Sequence, residues 1–220
     1  MLYAQFLGEL SKYLYTIAVT GTHGKSTTTG LTAVAAIAHL PQTALAIVGA
    51  GVTDRNGRNV RRSKKYTDYL KQLILHITSR KHNNPPQPLK KLIFIVEADE
   101  FNHHFLRLHP DISIITTIDY DHIDTYPTRD DYLQAFRQFV QNTNKEVLLR
   151  KEDVAVLALP PEQQKKICVI TPHQFTFSHL LGGHNHANAS LAQAAIEKVM
   201  QQKEGEIHTE AIQQTIATYT

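Results

Sequence analysis

The chain has 220 residues, 42% of them apolar, with 23 Lys and Arg against 20 Asp and Glu for a formal net charge of +3. That length suits one sizeable α/β domain or one domain with a small appendage, and so mild a charge makes no case for nucleic acid. A single cysteine, Cys168, excludes an intrachain disulfide or a cysteine-rich zinc site. With no secretory signal before Tyr13 and no membrane-length apolar run, a cytoplasmic protein is expected.

Apolar residues at Leu2, Phe6, Leu10 and Leu14 fall at helical spacing and predict a lead-in helix over 1–14. Tyr15 to Val19 then reads as a buried strand. Gly21-Thr22-His23-Gly24-Lys25-Ser26-Thr27 follows, and a helix rich in small apolar residues runs from Lys25 to about Leu40, stopped by Pro41. Strand, glycine loop with Gly-Lys-Ser and helix is the layout of a phosphate-binding loop. Gly21 and Gly24 let backbone N–H groups turn toward a phosphate chain. The helix start adds a positive dipole end, Lys25 a mobile charge, and Ser26 a hydroxyl for Mg²⁺. The strict pattern asks for glycine five residues before Gly24, where Val19 stands.

Ala44 to Val48 predicts a second short strand. The Asn56-Gly57 turn signal suggests a small hairpin. Arg55, Arg58, Arg61, Arg62, Lys64 and Lys65 make this stretch basic, either as a solvated loop or as a contact to phosphate or an acidic ligand. Leu70, Leu73, Ile74 and Ile77 predict an amphipathic helix over 66–80, and the prolines at 85, 86 and 88 end it in a loop.

Leu92 to Val96 is continuously apolar, as in a strand covered on both faces, and runs straight into Glu97-Ala98-Asp99-Glu100. A second such strand, Ile112 to Ile118, runs into Asp119-Tyr120-Asp121-His122-Ile123-Asp124. Both deliver acids or histidine to the carboxyl edge of a parallel sheet, the edge where the glycine loop also lies and where ligands bind. A carboxylate there can hold Mg²⁺, and His122 reads as a ligand, a base or a cap.

Further along, a helix is expected over 130–140 and short strands over 146–149 and 167–170. A strand or two is expected over 174–181, and 155–159 is ambiguous. Gly182-Gly183 precedes a helix whose start carries Asn185 and Asn188. Asparagine there suits either an adenine edge or a helix cap. A last amphipathic helix covers 209–219.

Four motifs now stand in order: residues 21–29, Glu-Ala-Asp-Glu (97–100), Thr-Ile-Asp-Tyr-Asp-His-Ile-Asp-Thr-Tyr (117–126) and Gly-His-Asn-His-Ala-Asn (183–188). Together they resemble the central ATPase domain of the Mur ligases, the ATP-dependent amide-forming enzymes of peptidoglycan synthesis. The resemblance runs from about Tyr15 to the end. It implies a P-loop α/β fold, a mostly parallel sheet flanked by helices, with an abbreviated small β subdomain between 145 and 181.

It also implies a chemistry, in which ATP activates a carboxylate as an acyl phosphate and an amine displaces the phosphate. Lys25 would contact the outer phosphates, inside a loop of Gly21, Thr22, His23, Gly24, Ser26 and Thr27. Ser26 and Glu97 would bind a first Mg²⁺, His122 a second, and Asn185 and Asn188 adenine. Lys25, Glu97 and His122 would be the catalytic set.

Within the family the likeness is strongest to the branch joining L-alanine to UDP-N-acetylmuramate. The branch that reattaches recycled murein tripeptide comes next. The sugar-binding and amino-acid-binding domains of that family lie outside residues 15–220, so this chain alone is expected to bind ATP without ligating. A nucleotide-responsive recruiting module is the alternative. Three departures are noted: Thr117 where asparagine is usual, Phe101-Asn102 after Glu100 where Ser-Asp is usual, and Ser26 for a usual threonine.

Overall fold

The computed structural model describes residues 3–41, 43–47, 60–62, 67–79, 87–177, 182–203 and 205–219. Helix α1 (Tyr3–Tyr13) leads into β1 (Leu14–Thr20), and α2 (Lys25–His39) follows the glycine loop. Next come β2 (Thr43–Ile47), β3 (Val60–Arg62), α3 (Thr67–Thr78) and β4 (Leu89–Glu97). A 3-10 segment, Phe101–Arg107, leads to β5 (Ile112–Ile115) and α4 (Arg129–Asn142). The chain closes with β6 (Glu146–Leu149), α5 (Lys151–Leu157), α6 (Pro161–Gln164), β7 (Ile167–Val169), α7 (Gly183–Gln202) and α8 (Thr209–Ala217).

The strands form one sheet in the order β3-β2-β4-β1-β5-β6-β7. Every neighbouring pair is parallel except β2 with β3, which pair antiparallel. Strand β1 therefore lies between β4 and β5, with connections leaving to opposite sides. This is the switch point at whose carboxyl end a ligand crevice forms in open α/β sheets.

The period of two along the central strands divides the core. Tyr15, Ile17 and Val19 of β1 and Ile93 and Ile95 of β4 pack with Leu31, Ala35, Leu191, Ala195 and Ile212 under α2, α7 and α8. On the other face, Leu14 and Ala18 with Leu92, Phe94 and Val96 meet Leu10, Leu73, Phe105, Phe136 and Phe139. Burying each of the Val, Leu, Ile and Phe side chains among them contributes roughly 1.5–3 kcal/mol. Both faces of β1 are covered, which is why all seven of its residues are buried. The small residues of α2 let it lie close to the sheet and to α7.

Three expectations change. The strand expected to reach Ile118 ends at Ile115, because Thr116 and Thr117 turn their polar groups onto the glycine loop. The ambiguous stretch 155–159 is mostly the end of helix α5. Residues 174–177 form no strand, and Phe175 and Phe177 instead stack at 5.5 Å between centroids. Among the described residues no separate small sheet is present: β6 and β7, the strands expected there, continue the main sheet in parallel. The Asn56-Gly57 turn and the basic residues 55, 58, 64 and 65 lie outside the described residues, although β3 pairs with β2 as a hairpin partner would.

Candidate nucleotide and cation site

Strand β1 stops at Thr20 and the chain turns on two glycines that non-glycine residues would strain, Gly21 at φ 128° and Gly24 at φ 81°. A Cβ on Gly21 would lie 2.3 Å from Thr116 Oγ1 and 2.8 Å from the Thr117 carbonyl oxygen. The loop is thus pressed against the residues leaving β5. Thr117 O accepts from Thr22 N at 3.0 Å and Thr117 Oγ1 from His23 N at 3.0 Å, while Thr116 Oγ1 donates to His23 O at 2.5 Å. The Thr22 and His23 amides, in the loop expected to surround the phosphates, are therefore committed to Thr117. Thr22 Oγ1 is also engaged, donating to Asp119 O at 2.7 Å and lying 2.8 Å from the Tyr132 hydroxyl.

Lys25 opens α2 and folds back over the loop. Its Nζ donates to Gly21 O at 2.8 Å and to Glu100 Oε1 at 2.9 Å. Ser26 Oγ donates to Glu97 Oε1 at 3.0 Å. Glu97 ends β4, directly beside β1, so sheet register carries this carboxylate to the loop. Helix α1 covers the same end of β4: Tyr3, Ala4 and Leu7 share a cavity of about 90 Å³ with Glu97 and Asp99.

His122 sits on the loop after β5 with φ 58°. A left-handed residue other than glycine costs about 1–2 kcal/mol, and here Asp121 Oδ1, accepting from His122 N at 2.7 Å, helps hold it. Its Nε2 lies 3.2 Å from Glu100 Oε1, and its ring is 5.5 Å from that of Phe101. The Tyr126 hydroxyl donates to Glu100 O at 2.5 Å and its side chain is fully buried. Burial, then the charges of Glu100 and Asp99, push the Tyr126 phenol well above its ordinary value, so it stays a donor.

Tyr132, one turn into α4, is likewise buried and held protonated. The α4 start that aims it is capped on both sides, Thr128 Oγ1 accepting from Asp131 N and Asp131 Oδ2 from Thr128 N. At the far side, Asn188 of α7 lies on the loop, its Oδ1 2.8 Å from where a Cβ on Gly24 would be. Asn185 is one turn nearer the helix start and half-buried. Of the remaining expected residues, Thr27 is half-buried and the His23 side chain is exposed.

The expected residues thus form two sub-clusters, Ser26 with Glu97 and Lys25 with His122, and the second is joined through Glu100. The sequence reading gave Glu100 no role. Its signal was its place, three residues past the last strand residue in the acidic run. Thr116, Thr117, Tyr126 and Tyr132 were likewise unassigned.

The donor set suits a hard divalent cation. Asp99, Glu100 and His122 each offer a ligand atom within 4.8 Å of one another, and buried Glu100 Oε2 has no hydrogen-bond partner. Among the described residues no helix is long and apolar enough to cross a membrane.

The family model Mur ligase middle domain matches residues 19–171. A UDP-N-acetylmuramate–L-alanine ligase of Lactobacillus delbrueckii subsp. bulgaricus is 30% identical over 164 residues, 74% of this chain and 30% of its own length. The chain thus spans less than a third of that relative. Among solved structures, the UDP-N-acetylmuramate:L-alanyl-gamma-D-glutamyl-meso-diaminopimelate ligase of Neisseria meningitides superposes with a TM-score of 0.68 at 18% identity, covering 99% of this chain and 70% of its own. The bifunctional folylpolyglutamate synthase/dihydrofolate synthase of Yersinia pestis, solved with AMPPNP and a Mn ion, superposes at 0.55 with 14% identity, over 99% and 61%. At these identities the structural likeness is one of fold.

Proposed function

Because the chain belongs to the Mur ligase family, matching its middle domain, we propose that it is the ATP-binding part of an amide-forming ligase that joins L-alanine to UDP-N-acetylmuramate. The observation that carries this reading is the meeting of Ser26 Oγ and Glu97 Oε1 at 3.0 Å beneath a loop of two positive-φ glycines. A hydroxyl and a carboxylate at the mouth of a phosphate loop are what a nucleotide-bound Mg²⁺ needs.

Lys25 would pair the outer phosphates, and Gly21, Thr22, His23, Gly24, Ser26 and Thr27 would shape the cradle. Ser26 and Glu97 would hold one Mg²⁺ and His122 a second, while Asn185 and Asn188 would take the adenine edge. The cations would supply positive charge that offsets the negative charge gathering on the transferred phosphoryl group.

A substrate carboxylate oxygen attacks the γ-phosphorus, the bond to the β-phosphate oxygen breaks, and ADP leaves. The amine nitrogen then attacks the acyl carbon, phosphate departs with the C–O bond pair, and the nitrogen loses a proton. The work of Lys25 in the first step is positional and electrostatic, since it holds the phosphoryl group in line and moves no proton. The Mn- and AMPPNP-bound synthase that shares this fold is consistent with nucleotide and divalent-metal use in it. A cytoplasmic setting fits a free cysteine and a need for ATP.

The test is a ligation assay with ATP, Mg²⁺, UDP-N-acetylmuramate and L-alanine. A longer protein carrying this domain should release phosphate and form the amide. The 220-residue chain by itself should not, and amide product from it alone would overturn that part of the reading.

A further inference from the structure

Glu100 is fully buried, yet only half of its carboxylate is used. Oε1 accepts from Lys25 Nζ at 2.9 Å and lies 3.2 Å from His122 Nε2, while Oε2 is buried without a hydrogen-bond partner. A carboxylate buried only to neutralise a lysine would be expected to satisfy both oxygens, because an unpaired charged atom away from water is costly.

Its two partners are the side chains assigned above to the outer phosphates and the second cation. We propose that Glu100 holds the place of the terminal phosphate and makes nucleotide entry conditional on a divalent cation. This rests on the nucleotide reading of the site and adds to it a residue and a rule of binding.

The argument is one of charge in a confined space. Lys25 and His122 already face one anion at short range. A triphosphate arriving alone brings a second anion to the same two groups, and like charges in a poorly solvated site repel strongly. Glu100 has little freedom to withdraw. Its carbonyl is held by the Tyr126 hydroxyl and by His103 N at 3.1 Å, and the next turn is set by left-handed Asn102 and His103. A divalent cation resolves the conflict. The carboxylates of Glu100 and Asp99 and the His122 ring offer it ligand atoms within 4.8 Å of one another, and buried Glu100 Oε2 is the oxygen left without a hydrogen bond. With the carboxylate neutralised by the cation, Lys25 is free to turn to the phosphate.

The test is Glu100→Gln, which keeps the shape and an acceptor for Lys25 but removes the charge. ATP affinity is measured with excess Mg²⁺ and with EDTA, alongside nucleotide-free melting curves. Relative to the unmodified chain, the variant should bind metal-free ATP at least about tenfold more tightly, and the enhancement by Mg²⁺ should shrink by a similar factor. Asp99→Asn, at an exposed position that leaves the core intact, should also reduce the Mg²⁺ enhancement.

An unchanged ratio of the two affinities in both variants, or equal weakening of both affinities, would overturn the inference while leaving the nucleotide site standing. Absence of ATP binding by the unmodified chain under both conditions would overturn the site and the inference together.

Discussion

The Oδ1 atom of Asn188 lies 2.8 Å from where a Cβ on Gly24 would be, so the start of α7 rests on the start of α2. The first and the last of the four motifs meet there through a missing side chain. Gly24→Ala would add a methyl group at φ 81° and push Asn188 aside. The expected cost is about 1–2 kcal/mol from the backbone alone, with the contact added. Urea denaturation should show it, and Asn188→Ala in the same chain should recover the contact part only.

Lys25 and Glu100 form an ion pair in which the lysine side chain is 16% and the glutamate 0% exposed. Lys25→Ala leaves the carboxylate buried beside His122 alone, which should cost about 3–5 kcal/mol. Lys25→Ala with Glu100→Gln should regain much of that loss. A double-mutant cycle on chemical denaturation measures the coupling, and additive losses would contradict the pairing.

Tyr126→Phe removes the donor to Glu100 O and nothing else of size. The carbonyl then loses that bond in a dry site, so a loss of about 1–3 kcal/mol is expected. Thermal unfolding at matched pH checks it, and a variant as stable as the parent would show that the hydroxyl is not needed to hold the acidic turn.

Asp153 supports the loop after β5 from beneath, Oδ1 accepting from Ile118 N at 3.1 Å and Oδ2 from Arg150 Nε at 2.8 Å. Burial raises its carboxyl above the ordinary 3.8, outweighing the lowering by Arg150. The folded chain therefore binds this proton more tightly than the unfolded one, so the contribution of Asp153 to stability falls as pH rises from about 3.8 through its raised value. Stability measured against pH should decline less across that window in Asp153→Asn than in the parent. Parallel curves would contradict the assignment.

Much of this architecture was legible because apolar patterning is dense where the sheet is buried. The continuous runs at β1 and β4 and the small-residue helix α2 carry it, and the acidic tails of two strands point to the sheet edge where the glycine loop lies. Strand membership was less legible: β6 and β7 are short runs, and nothing local in Glu146–Leu149 says which sheet it joins. The early end of β5 was hidden for a similar reason, since Thr116 reads as a good strand residue until the glycine loop arrives to bond it. The part of Glu100 is hidden in the sequence, because burial of a carboxylate is decided by tertiary neighbours such as Tyr126 and Lys25 rather than by its own segment.

The most direct test of the nucleotide site is calorimetric titration of ATP into the chain with and without Mg²⁺, repeated with Lys25→Ala and with Ser26→Ala after each variant is shown to be folded. The account predicts saturable, Mg²⁺-dependent binding to the unmodified chain, its loss in Lys25→Ala, and a reduced response to Mg²⁺ in Ser26→Ala. No binding to the unmodified chain, or binding that both variants retain unchanged, would contradict it.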